Sequence, residues 1–112
     1  MSMYTQLLRQ ALDDAQERHA EMTAGQLLAN LLRCRSELLE TTSAIPGRSG
    51  SLGVVATELA YDVALVGFAR QLGIGSGPEA FDPPRRERAQ LEQALSSSGV
   101  DLNNLEKESQ PN

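Results

Sequence analysis

The sequence predicts an all-α fold: a compact, four-helix bundle-like domain with an apolar third helix at its centre. Three observations lead there. Apolar residues recur at spacings of three and four along most of the chain. Capping and glycine signals mark where those stretches begin and end. No segment shows the alternation of apolar and polar residues expected of a half-buried strand.

The first helix is expected over residues 2–20. Tyr4, Leu7, Leu8, Ala11, Leu12 and Ala15 form one stripe, with Gln6, Arg9, Asp13, Asp14 and Glu17 on the outer face. The second, over 23–41, has the best-marked start. Thr23 followed three residues later by Gln26 is a capping box, in which each side chain meets the other's backbone N–H. Leu27, Leu28, Leu31, Leu32, Cys34, Leu38 and Leu39 then make a broad apolar arc. Residues 42–50, with Pro46-Gly47 and Ser49-Gly50, read as a loop.

The third helix, over 51–72, is apolar on two nearly opposite faces. One stripe runs Leu52, Val55, Ala56, Leu59, Val63, Val66, and the other Val54, Tyr61, Leu65, Phe68, Leu72. A helix patterned this way is normally surrounded by protein, which makes it the hub. Gly53, Ala60, Ala64 and Gly67 give it a side where another helix could approach closely. Gly73-Ile74 suits a left-handed cap with an apolar contact back onto the last turn. The fourth helix is expected over 82–98, with Asp82 as N-cap, Pro83 in the first turn and Leu91, Ala94 and Leu95 inward. Gly99-Val100 repeats the ending of the third helix. Leu102 and Leu105 add a short packed extension, so a single domain spans 1–105 and a mobile polar tail 106–112.

Composition narrows the function classes. At 112 residues the chain is long enough to bury one core without metal or disulfide staples. With two Tyr, two Phe and no Trp, that core must be mainly Leu, Val and Ala. The formal net charge of −5 argues against nucleic acid as a partner, because phosphate binding needs a basic face. One cysteine, Cys34, excludes an internal disulfide and fits a reducing cytoplasm. The first residues lack the basic and apolar regions of a secretory signal, and no apolar run approaches the ~20 residues needed to cross a bilayer.

Tyr61-Asp62-Val63-Ala64-Leu65, Leu72-Gly73-Ile74, Phe81-Asp82-Pro83 and Glu87-Arg88-Ala89-Gln90-Leu91-Glu92 resemble an uncharacterised family of small all-helical proteins from high-GC Gram-positive bacteria. The resemblance covers the latter half of the chain. It implies a helical fold and a bacterial source and assigns no activity.

The candidate sites are few. Glu58 and Asp62 lie one turn apart on the nearly all-apolar third helix. Arg35 falls within the apolar arc of the second helix and Arg88 on the inner face of the fourth. Glu58 or Asp62 is expected to pair with Arg35 or Arg88 in a partly buried bridge that fixes helix register. Arg85 and Arg86, in the first turns of the fourth helix, oppose its dipole and form a candidate anion contact. His19, the single histidine, is expected exposed or favouring the C-terminal dipole of the first helix. Cys34 is expected to act as a small buried hydrophobe. The run from Gly73 to Pro78 follows a helix and lacks the Gly-Lys-Ser/Thr of a phosphate loop. No catalytic, cofactor-binding or metal-binding set emerges, and no small-molecule ligand or membrane partner is indicated. The expected role is a protein–protein interaction module or homodimer rather than an enzyme. The alternative is a helix-turn-helix DNA-binding regulator, suggested by the tight first connection and by Arg33 and Arg35.

Overall fold

The structure, a computed structural model, describes residues 3–44, 52–75 and 77–102. It is an all-α, four-helix bundle-like fold. The helices are α1 (Met3–Ala20), α2 (Ala24–Ala44), α3 (Leu52–Gln71) and α4 (Pro84–Ser97), with a 3₁₀ turn at Pro78–Ala80. Among the described residues there is no strand, and no helix is long and apolar enough to cross a membrane.

The three other helices each pack on α3, and α2 does so most extensively. From Tyr61 to Ala69 α3 is enclosed nearly all round: Tyr61, Ala64, Leu65, Val66, Phe68 and Ala69 are buried, as is Asp62. One side of α3 between Val55 and Val63 differs from the expectation of a fully wrapped helix. Val55, Leu59 and Val63 are only half-buried, and Ala56 and Ala60 are exposed. The cause is that α1 and α2 each pack on α3 and scarcely on each other, which leaves an opening between them.

α1 buries Thr5, Leu8, Leu12 and Ala15. The stripe is thus rotated from the expected one, and Leu7, about 100° round the helix from Leu8, is 40% exposed. The turn into α2 holds the capping box in full. The Thr23 N–H donates to Gln26 Oε1 at 2.9 Å, and the Gln26 N–H donates to Thr23 Oγ1 at 3.1 Å. Thr23→Ala should cost about 1 kcal/mol, read as a lower urea midpoint, with Thr23→Ser close to wild type. α2 runs to Ala44, beyond the expected end near 41, because nothing in residues 42–44 breaks a helix and the first breaker is Pro46. The expected turns at Pro46-Gly47 and Ser49-Gly50 lie outside the described residues.

α3 and α4 end alike. Gly73 and Gly99 have φ of 82° and 99°. The Ile74 N–H donates to the Ala69 carbonyl at 2.8 Å and the Val100 N–H to the Leu95 carbonyl at 2.8 Å. This is the Schellman pattern, in which a left-handed glycine lets the next apolar residue fold back onto the helix.

Two details of the second connection depart from expectation. The 3₁₀ turn, closed by the Phe81 N–H on the Pro78 carbonyl at 3.1 Å, delivers Phe81 into the core at 0% exposure. α4 begins at Pro84, not at Asp82-Pro83. Pro83 precedes another proline, which drives it to extended backbone (φ −78°, ψ 149°), so the helix starts one step later. Leu102 packs into the core at 4% exposure; Leu105 and the tail 106–112 lie outside the described residues.

Candidate functional site

Two polar clusters cross the core side by side, anchored on the consecutive residues Tyr61 and Asp62 of α3. Asp62 is fully buried. Arg88 of α4 grips it with two bonds, Nε to Oδ1 at 2.7 Å and Nη2 to Oδ2 at 2.8 Å. The Tyr4 hydroxyl of α1 donates to the same Oδ2, and Glu58 lies 3.7 Å from Arg88 on the other side. Burial pushes the Asp62 carboxyl above its ordinary value, against the pull of Arg88 and Tyr4. Burial opposes the charge of Arg88 too, but the carboxylate of Asp62 outweighs it and holds the guanidinium firmly ionised. The two parallel N–H···O bonds are the geometry of a charge-assisted pair.

The second cluster repeats the composition with the helices exchanged. Arg35 of α2 donates to Glu92 of α4 at 2.9 Å and to the Tyr61 hydroxyl at 3.3 Å, while that hydroxyl donates to Glu92. Both tyrosines have pKa values raised above the ordinary phenol. For Tyr4 the causes are burial and then Asp62; for Tyr61 they are burial and then Glu92.

The residues singled out from sequence are thus placed as follows. Asp62, Arg88 and Glu58 come together. Arg35 turns instead to Glu92 and Tyr61, because α2 and α4 flank α3 on that side. Arg85 and Arg86 are exposed, and among the described residues neither forms an ion pair. Tyr4, Tyr61 and Glu92 were missed. An Arg88–Glu92 spacing of one turn on the inner face of α4 was the available signal for Glu92.

No buried side-chain nitrogen or oxygen among the described residues lacks a partner. The two clusters therefore read as structural locks between helices, in which both oxygens of Asp62 accept bonds from α1 and α4. Among the described residues no three His, Cys, Asp or Glu side chains are grouped to hold a metal ion.

One surface feature with room for a ligand is the groove left between α1 and α2. It has a volume of about 350 Å³. Its floor is the open side of α3, with Ala56, Leu59, Ala60 and Val63. Ala11, Arg18 and His19 line the α1 wall, Met22 the turn, and Asn30, Arg33 and Cys34 the α2 wall. Cys34 is buried at 6% exposure, and burial raises its thiol pKa, with Glu37 adding to that and Arg33 opposing it. At neutral pH it is an inert thiol in the groove wall.

His19 closes one end of the groove by lying on Gly67. A Cβ at position 67 would sit 2.6 Å from the His19 ring, so only glycine admits it there. Burial, then Arg18 and Arg70, hold the imidazole pKa below its ordinary value. The cation-on-dipole role expected from sequence is outweighed by those three influences. Gly67→Ala should expel the ring and move the pKa of the single histidine up toward about 6.5, measurable by NMR titration. An unchanged pKa in that variant contradicts the contact.

Compared with models of known protein families, with curated proteins and with solved structures, the chain matches none.

Proposed function

We propose that the protein is a binding module rather than an enzyme, a small helical domain that engages another protein through the groove between α1 and α2. One observation carries this reading. Among the described residues, the most apolar helix of the chain leaves Ala56 and Ala60 exposed and Val55, Leu59 and Val63 half-buried, although Tyr61, Ala64, Leu65, Val66, Phe68 and Ala69 are buried. Leu59 and Val63 line the groove beside Ala56 and Ala60. An unfilled apolar channel of this kind is where a helix lays its own apolar face. A cytoplasmic setting belongs to the same reading, since the one thiol is buried and reduced in a chain without disulfides.

A photoreactive amino acid placed at Ala60, in the native cells, tests the site. The expected result is a discrete covalent adduct that does not form from Gln90, exposed on α4. Equal labelling from the two positions, or no adduct from Ala60, contradicts the reading.

A further inference from the structure

On the reading that the groove is an interaction site, its chemistry specifies its occupant. We infer that the groove takes an amphipathic helix from a different protein, with a narrow apolar face bordered by Asp or Glu.

The width of the floor argues for a helix. Ala56 and Ala60 are one turn apart on α3 and carry single methyl groups, so a second helix axis can approach to within the usual 8–10 Å or closer. Leu59 and Val63, half-buried on the same stretch, give that helix apolar surface to cover.

The charges argue for acidic edges. The chain carries a net −5, yet the charged side chains lining the groove are Arg18 from one wall and Arg33 from the other. Among the described residues Arg18 forms no ion pair. Arg33 meets Glu37 at 3.6 Å, with 66% and 53% of the two side chains exposed, and also binds Asn30 at 2.5 Å. An exposed i,i+4 pair of that kind is weak, so an incoming carboxylate can displace it. Cations on both walls of an apolar channel complement a helix with carboxylates on both flanks.

The same charges argue against a second copy. A two-fold contact centred on the groove would bring the two arginines of one copy close to the same two of the other, and like charges brought together are repulsive.

The test uses the intact ¹⁵N-labelled protein and two synthetic helical peptides of about 18 residues. They share one Leu/Ala face and differ only in flanks of Glu or of Lys. The Glu peptide should shift the amides of Ala56, Leu59, Ala60 and Val63 and bind about tenfold or more tightly than the Lys peptide. The double variant Arg18→Glu/Arg33→Glu, altered only at exposed positions, should keep the wild-type helical content and reverse the preference. Equal binding of both peptides, preference for Lys, or binding of neither overturns the inference. So does a dimer in sedimentation that Ala60→Glu dissolves. Cross-linking from Ala60 without Glu-peptide binding sinks the acidic-helix assignment alone. Absence of that cross-link removes the interaction reading itself.

Discussion

Asp62→Ala should lower the stability of the protein by about 3–5 kcal/mol, the range for breaking a buried ion pair by removing one partner. The loss has two sources. Arg88, with only 13% of its side chain exposed, loses its two-bond partner and keeps only Glu58, 3.7 Å away. The Tyr4 hydroxyl loses the carboxylate it donates to. A domain of this size has about 5–15 kcal/mol in all, so the variant should be marginally folded at room temperature. Asp62→Asn keeps the volume and one acceptor and should be less damaging, which separates the lost charge from lost shape. Urea unfolding followed by circular dichroism gives both values. A midpoint for Asp62→Ala within error of wild type contradicts the pairing.

Alkaline unfolding should be steep and tied to both tyrosines. The folded pKa of Tyr4 and Tyr61 is raised above the unfolded value, chiefly by burial. A group shifted in that direction contributes stability that is complete below its unfolded pKa and is lost as pH rises through the folded one. Stability should therefore hold to about pH 10 and then fall by about 1.4 kcal/mol per pH unit for each phenol, about 2.7 together. The chain has two tyrosines and no tryptophan, so the ultraviolet signal of tyrosinate reports these two groups without overlap. The expected trace is a single late rise that coincides with loss of helicity. A gradual rise centred near pH 10, with the helical signal intact, contradicts the buried clusters.

The legible part of the fold is the part written in local chemistry. Thr23 and Gln26, three residues apart, specify the start of α2 because both partners lie within one turn. Gly73 and Gly99 specify helix ends because only the left-handed conformation closes the last turn onto Ile74 and Val100. The cations Arg35 and Arg88 stood out as misfits on apolar faces; the acids of the third helix are the complement of Arg88, whereas the acid that Arg35 meets lies on α4.

What stayed hidden depends on how helices meet. Tyr61 and Tyr4 sit on apolar stripes, where a tyrosine reads as core, and nothing local shows what its hydroxyl touches. Glu92 looks like one more solvated charge until α2 brings Arg35 beside it. Phe81 lies in a connection without periodicity, so its burial depends on the turn before it. The open side of α3 was hidden for the same reason. Its wheel shows two apolar stripes from end to end, and only the packing of α1 and α2 decides which stretch is covered.

α3 is the hub, and Asp62, through Arg88, locks α4 to it. A double-mutant cycle with Asp62→Asn and Arg88→Met measures that lock directly by urea unfolding. The expected coupling is above about 1 kcal/mol, as for residues in one buried network. Single-variant losses that add to within about 0.5 kcal/mol would show that the two side chains act independently and that α4 is held some other way.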